Sequence, residues 1–115
     1  MLPTLPHATA WAVLGVAILL EVGGTTSMRL SEGLSRPGPS AAMFLFYAAA
    51  FVLNAMVIRT LGLSVVYAVW SGVGTVLTAL VGYWYFKEPA SALKVLSAGL
   101  IVLGVIGMHL GSKPA

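Results

Sequence analysis

Long apolar runs separated by short polar stretches predict four membrane-spanning helices. Glu21 is the sole charged residue in the first run, positions 8–28. Three further runs contain no Asp, Glu, Lys or Arg: 41–58, 60–86 and 95–112. A helix needs about 20 mostly apolar residues to cross a bilayer. The pattern therefore predicts an all-α membrane protein, one domain over 1–115, with spans at about 9–29, 41–59, 64–86 and 92–111.

The connections between these spans are short, so helices adjacent in sequence are expected to run antiparallel. Positions 31–40 are rich in glycine and proline and predict the longest loop. Pro89 is expected in the first turn of the fourth helix, where a missing N–H costs nothing. The first apolar run lacks the basic segment that precedes the core of a signal peptide, and an acid interrupts it. No stretch alternates as barrel strands do.

Composition supports the membrane assignment and narrows the chemistry. Hydrophobic residues make up 59% of the chain, charged residues 8%, and the mean hydropathy is +0.99. A soluble domain carries about 25% charged residues. The six basic residues are scattered, which argues against a nucleic-acid partner. Because there is no cysteine, thiolate chemistry and cysteine metal sites are excluded. We expect no enzyme activity, no cofactor and no metal.

Glu21 is the first candidate functional residue. An acid at the centre of a membrane helix costs roughly 2.5–3.5 kcal/mol, and such residues usually face a cavity or a partner. The alternative is a structural acid tied to a neighbouring helix. Thr25 is placed to bond the carboxylate or, more ordinarily for threonine, its own backbone. The helix face that carries Glu21 is small and weakly polar, which leaves room for a ligand and lets helices approach. Its other members are Leu14, Ala17, Ile18, Gly24, Thr25 and Met28.

Aromatic residues in the third span form a second candidate cluster. Tyr67, Trp70, Ser71 and Gly74 share one helix face. Aromatic rings near an acid suit an organic cation, because the ring faces attract the cation by about 2 kcal/mol when the pair is desolvated. The alternative is an interfacial aromatic belt, which fits Trp70 poorly because it lies well inside its run. Gly72 and Gly74 permit either close packing or a kink. In the second span, Tyr47 either bonds the membrane acid or packs.

Four helices leave no second bundle to enclose a substrate, so a second copy is expected to complete the site. We predict at minimum a homodimer. Small residues in the fourth span, including Ser97 and Gly104, allow close helix contact in lipid. This span is therefore the predicted dimerisation element. The alternative is that these residues pack it within its own bundle.

The segment EVGGTTSMRLSEG that begins at Glu21, the run YAVWSGVG from Tyr67 to Gly74, and the four-helix length together resemble the small multidrug resistance family of bacterial inner-membrane transporters. The resemblance covers essentially the whole chain. It implies an antiparallel, dual-topology homodimer that exchanges protons for lipophilic cations such as quaternary ammonium compounds. It makes Glu21 the shared proton and substrate site. The positions it assigns to substrate binding or to the surroundings of the acid are Trp70, Tyr67, Tyr47, Ala17, Ile18, Gly24 and Thr25.

Some positions depart from that family's pattern. Ala50 stands where a serine is common, and Ser97 replaces a glycine of the helix-four motif. No tryptophan closely follows Glu21, which favours the multidrug branch over the guanidinium branch. Some members work only as heterodimers, and that alternative stays open. Four basic residues flank the first and third loops, and two lie on the other side of the membrane. This difference favours one orientation of the protein only weakly and is compatible with insertion both ways. The basic residues are Arg29, Arg36, Lys87 and Lys94 against Arg59 and Lys113.

Three functions remain open from the sequence. The first is proton-coupled export of lipophilic or quaternary ammonium cations, in which proton and cation compete for Glu21. The second is export of a small polar cation such as guanidinium, for which a compact, more hydrogen-bonded pocket is expected. The third is a non-transporting subunit of a membrane complex. A membrane acid with an aromatic cluster argues against the third function, because a scaffold has no need of either.

Overall fold

The computed structural model describes residues 4–112, and within that range the chain is entirely helical apart from its connections. The helices are α1 (His7–Leu30), α2 (Pro37–Leu61), α3 (Leu63–Trp84) and α4 (Ala92–Gly111). Each is long and apolar enough to cross a membrane. The predicted all-α membrane fold with four spanning helices is thereby confirmed. Lys113, one of the residues used for the charge bias, lies outside the described residues.

The chain divides into two compact units, one of α1 and α2 and one of α3 and α4. In the first unit the helices are antiparallel. Thr25 near the end of α1 contacts Tyr47 in α2, whereas the Thr60 hydroxyl at the end of α2 donates to the Leu5 carbonyl before α1, at 2.7 Å. In the second unit, α3 and α4 pack through Gly72, beside which Val105 and Ile101 lie.

The helix boundaries follow local signals, and two of them differ from expectation. Pro37 lies in the first turn of α2, so part of the predicted loop is helix; proline is tolerated there because that N–H would be unpaired in any case. The expectation for Pro89 was wrong. α4 begins at Ala92, after an N-cap in which the Ser91 hydroxyl accepts from the Lys94 backbone N–H at 3.1 Å. Pro89 instead precedes that cap, and its carbonyl accepts from Lys94 Nζ.

The connection between α1 and α2 is a tight turn built around Ser31. Its side chain is fully buried; its hydroxyl donates to the Met28 carbonyl at 2.6 Å and accepts from the Leu34 N–H at 3.1 Å. Positive φ angles at Glu32, Gly33 and Leu34 reverse the chain. A single residue, Gly62 at φ 89°, separates α2 from α3. That left-handed conformation favours glycine because it has no Cβ.

Candidate functional site

Glu21 lies well inside α1 with its side chain half-buried, and its carboxylate is tied to its own helix. The Thr25 hydroxyl, one turn further along, donates to Glu21 Oε1 at 3.1 Å. Of the two partners considered for Thr25, the carboxylate is therefore the one it takes. The 3.6-residue period of the helix places Glu21 and Thr25 on one face, so their side chains can meet.

Tyr47 of α2 extends this contact across the helix pair. Its hydroxyl lies 2.8 Å from Thr25 Oγ1. A threonine hydroxyl has one hydrogen to donate. Since Thr25 donates it to Glu21, the Tyr47 hydroxyl donates to Thr25. The tyrosine thus reaches the acid through Thr25, and the three side chains form one hydrogen-bonded chain from α2 to the Glu21 carboxylate, called here the acid chain.

The polarity of the acid chain depends on the proton at Glu21. With Glu21 ionised, the hydrogens run from Tyr47 to Thr25 to the carboxylate. With Glu21 protonated, the same oxygens are satisfied when the acid donates to Thr25 and Thr25 donates to Tyr47. Thr25 donates once and accepts once in both cases, whereas the Tyr47 hydroxyl changes from donor to acceptor within the acid chain. The arrangement therefore accommodates both protonation states without moving a helix.

The two glycines that follow Glu21 are covered by aromatic rings of α2. A Cβ built on Gly24 would lie 2.7 Å from Tyr47 Cδ1 and Cε1, and one on Gly23 would lie 3.3 Å from Phe46 Cδ1. The space that the sequence left beside Gly24 is thus filled by the Tyr47 ring. Glycine at this position serves the close approach of the two helices, and that approach places the tyrosine hydroxyl on Thr25.

Other residues of the helix face that carries Glu21 lie around the acid chain. Ala17 and Ile18, one turn before the acid, are buried at 0% and 4% exposure. Ala50 of α2 is also fully buried. The surroundings of Glu21 within the first unit are therefore apolar, except for the acid chain. An ionised carboxylate in such surroundings is strongly attracted to a cation, because the local dielectric is low.

The predicted aromatic cluster lies in the second unit. Tyr67 and Trp70 pack edge to face, with ring centroids 6.0 Å apart and planes at 86°. Tyr67 is 62% exposed and Trp70 is half-buried. Ser71 is exposed, and its carbonyl accepts from the Thr75 hydroxyl. The edge-to-face geometry is a favourable one for paired rings and leaves the exposed Tyr67 ring open to further contact.

The small residues of the second unit differ in their surroundings. A Cβ on Gly72 would collide with Val105 Cγ2, so this glycine permits close α3–α4 contact. Gly74 is buried, and α3 continues without interruption through both glycines. On α4 no described residue is buried; Ser97 is exposed, and nothing lies within 4 Å of a Cβ on Gly104. Among residues 4–112, the space beside Gly104 on α4 is therefore open.

Two residues of α2 were given no role by the sequence. Phe46 covers Gly23. This contact could not be predicted from the sequence, because Phe46 is one of many apolar residues in its span. Asn54, one turn beyond Ala50, is buried at 4% exposure. A lone amide in an apolar span was the available signal for Asn54, but its burial depends on how α2 is rotated against α1.

The family model of the small multidrug resistance protein matches residues 9–101, which include all of the residues named above as candidates except Gly104. The chain belongs to this family. "Multidrug resistance protein EbrB" of Bacillus licheniformis is 44% identical over 92 residues, covering 80% of this chain and 77% of its own. "Guanidinium exporter" of Yersinia pseudotuberculosis is 41% identical over 103 residues, covering 90% and 99%.

A third relative is "Quaternary ammonium compound-resistance protein QacE" of Escherichia coli, 35% identical over 103 residues, covering 90% of this chain and 94% of its own. Members of the small multidrug resistance family are exporters of multidrug, quaternary ammonium or guanidinium type, and not enzymes. With four spanning helices, the chain is a multi-pass protein of the bacterial inner membrane.

Proposed function

We propose that this protein is a proton-coupled antiporter that exports lipophilic or quaternary ammonium cations, with Glu21 holding a proton and a substrate cation in turn. The acid chain is the observation that carries the proposal. Within residues 4–112 the half-buried carboxylate of Glu21 is held by the Thr25 hydroxyl, which Tyr47 in turn contacts, and not by a basic side chain. A substrate cation would then supply the positive charge that pairs with the Glu21 carboxylate.

Competition at one carboxylate explains how the two flows are coupled. An ionised Glu21 attracts an organic cation, whereas the protonated acid does not. Arrival of a proton therefore releases the substrate, and arrival of the substrate releases the proton. Exchange results when the transporter changes its access to the two sides only with the acid occupied.

The predicted substrate class follows from the aromatic residues proposed to share the site. Tyr67, Trp70 and Tyr47 offer ring faces and hydroxyls to a cation that also carries hydrophobic bulk. Ser71, Ala17 and Ile18 would contribute the remaining contacts. The name of the QacE relative is consistent with this class.

We further propose that the working unit is an antiparallel homodimer of dual topology, formed through α4. The open face around Gly104 and the absence of buried residues along the described α4 support this contact. Each chain, a single four-helix domain, would then supply one Glu21 to a shared chamber. Cross-linking of a cysteine placed at Gly107, on the same helix face, tests the contact; a protein that cross-links to itself supports it.

Export of guanidinium is the second candidate function. It is favoured by the 41% identity to the Yersinia exporter over 90% of this chain. The two functions differ in what holds the cation, since guanidinium depends on hydrogen bonds and a bulky quaternary cation depends on ring faces.

The deciding experiment uses the purified protein alone in liposomes. Proton flux is recorded after addition of tetraphenylphosphonium, a benzyl quaternary ammonium salt or guanidinium. We expect flux with the first two cations and little with guanidinium. Flux with guanidinium alone would support the second candidate, and no flux with any of them would refute transport by this chain on its own.

A further inference from the structure

The turn that follows α3 places a carboxylate against the end of that helix. The chain passes through Lys87 in a left-handed conformation, φ 59°, and the Glu88 N–H then donates to the Gly82 carbonyl at 2.9 Å. This bond brings the Glu88 side chain onto Gly82, where a Cβ would collide with Glu88 Oε1. Gly82 is buried, although Glu88 as a residue is exposed. The absence of a side chain at Gly82 therefore provides the space in which this carboxylate lies.

The Glu88 carboxylate is not used by the turn that positions it. Backbone groups make the closing hydrogen bond, and within residues 4–112 the carboxylate oxygens make no hydrogen bond and no ion pair. Lys94 is near in sequence, but its Nζ donates to the Pro89 carbonyl at 2.9 Å instead. A negative charge held at a defined place without a positive partner is available to a cation from outside the chain.

An exposed aromatic ring lies on the same side of this helix end. The Tyr85 N–H donates to the Val81 carbonyl at 2.8 Å, so the helical turn continues as far as Tyr85. Residues three apart on a helix are neighbours, which places Tyr85 beside Gly82 and the carboxylate that covers it. The Tyr85 residue is 66% exposed. Its ring packs edge to face on Phe86, with centroids 4.8 Å apart and planes at 81°, and this contact orients it.

The two aromatic residues just before Tyr85 lie on other sides of the helix. Trp84 is two residues beyond Gly82, or about 200° around the axis, and Tyr83 is about 100° around it. Both are exposed, and their rings pack at a tilt of 55°. Aromatic residues at membrane interfaces are common, and that explains this pair. Such a belt has no need of a carboxylate, so the combination at Tyr85 calls for a different explanation.

The chemistry of one carboxylate beside one ring selects the kind of cation. A metal ion needs several oxygen or nitrogen ligands, and no group of three His, Asp or Glu residues that could hold one exists within residues 4–112. A quaternary ammonium group has no hydrogen to donate, so it binds by charge and by contact with a ring face. A carboxylate and an exposed ring supply these two interactions.

We propose that Glu88 and the Tyr85 ring form a second cation site of this protein, at the membrane surface where α3 ends, and that it takes a quaternary ammonium group. The site holds the cation near the protein before or after transport. Its link with transport rests on the proposed function, but binding at this site does not require Glu21. Free quaternary ammonium compounds and choline headgroups of lipids offer the same chemical group.

Binding of benzyltrimethylammonium to purified protein tests the proposal. The measurements use Glu21→Gln in dodecyl maltoside, so that the proposed transport carboxylate is neutral and the detergent carries no ammonium group. Affinity is read from ligand-observed saturation-transfer NMR. Glu88→Gln removes the charge, and Tyr85→Leu removes the ring. Glu32→Gln is the matched control for the charge, since Glu32 is an exposed acid in the other hairpin. Trp84→Leu is the matched control for the ring.

We expect saturable binding to Glu21→Gln, with a Kd that rises about fivefold in Glu88→Gln and about as much in Tyr85→Leu. Tyr85→Phe should retain the affinity, because the ring remains. Glu32→Gln and Trp84→Leu should leave the Kd in place. Competition by glycerophosphocholine identifies lipid headgroups as further occupants, and binding without such competition assigns the site to free cations; both outcomes support a quaternary ammonium site.

Absence of saturable binding to Glu21→Gln would overturn the proposal. An unchanged Kd in Glu88→Gln, or an equal rise in the two controls, would overturn it as well. The result is separate from that of the liposome experiment. Binding that depends on Glu88 in a protein without proton flux would refute the proposed function and keep this site, whereas flux without such binding would do the reverse.

Discussion

At the scale of single residues, the proposed site contains three side chains with different contacts. Glu21 is the proposed proton and cation site, the Thr25 hydroxyl donates to it, and Tyr47 connects Thr25 to the second helix. Gly24 makes this possible by admitting the tyrosine ring. Because these contacts differ, we expect a different defect from the substitution of each residue.

Replacement of Glu21 by glutamine should abolish proton-coupled flux in liposomes while leaving insertion intact. The amide is nearly the same size, and Thr25 can still donate to its carbonyl oxygen, but it cannot exchange a proton. Glu21→Asp should retain activity with a shifted pH dependence, because the shorter arm changes its contacts. Full proton-driven flux by Glu21→Gln would contradict the shared-carboxylate mechanism.

Gly24→Ala should weaken binding by displacing the Tyr47 ring. The added Cβ would lie 2.7 Å from that ring, and overpacking of this kind costs about 1–3 kcal/mol. We expect a lower thermal midpoint in detergent and a lower affinity for tetraphenylphosphonium, both measured on purified protein. Gly15→Ala is the control in the same helix, since nothing lies within 4 Å of its Cβ. Equal effects of the two changes would show that the ring contact is unimportant.

At the scale of elements, the two helical hairpins are held by close approach at glycine. Gly24 admits a ring of α2 to α1, and Gly72 admits Val105 of α4 to α3. In a bilayer there is little hydrophobic force between helices, so packing of this kind supplies much of their association. The hairpins should therefore be sensitive to a single methyl group at these positions.

Gly72→Ala should destabilise the α3–α4 hairpin by about 1–3 kcal/mol, because its Cβ would collide with Val105. Val105→Ala in the same chain should restore much of the loss by giving the methyl group room. The measurement is the thermal midpoint of the four combinations in a double-mutant cycle. Gly99→Ala is the control, since the space beside Gly99 is open. Strict additivity of the two changes would rule out the contact.

At the scale of the whole molecule, the proposed function needs both the carboxylate of Glu21 and the aromatic side chains. The rings of Tyr67 and Trp70 belong to the second unit and the acid chain to the first. Substrate selectivity is the property that joins them, because a cation with aromatic bulk uses ring faces more fully than guanidinium does.

Trp70→Ala should lower affinity for tetraphenylphosphonium by about 1–2 kcal/mol, or roughly tenfold, through lost cation–π attraction and ring area. Guanidinium should be affected less. Binding of both cations to purified protein measures the difference. Trp84→Ala serves as the control, because Trp84 is an exposed residue at the end of α3. No change in Trp70→Ala would make the cluster a packing feature and remove its support for the multidrug assignment.

Exchange of two protons for one monovalent cation, by a homodimer with two Glu21 residues, would move one net charge inward. Such transport should respond to membrane potential by about 2.3 kcal/mol per 100 mV. Liposomes clamped with valinomycin and potassium gradients measure the response. Transport that ignores the potential would indicate exchange of one proton per cation.

The sequence determined the number and length of the spans, since hydrophobicity is local: the four helices depart from the predicted spans by a few residues at their ends. It also determined that Glu21 and Thr25 share a face, because both lie on one helix. Tertiary structure decided what crosses between helices. The register of α1 against α2 set Tyr47 on Thr25, filled the space at Gly24 and buried Asn54, and no periodicity along a single helix reports how its neighbour is rotated.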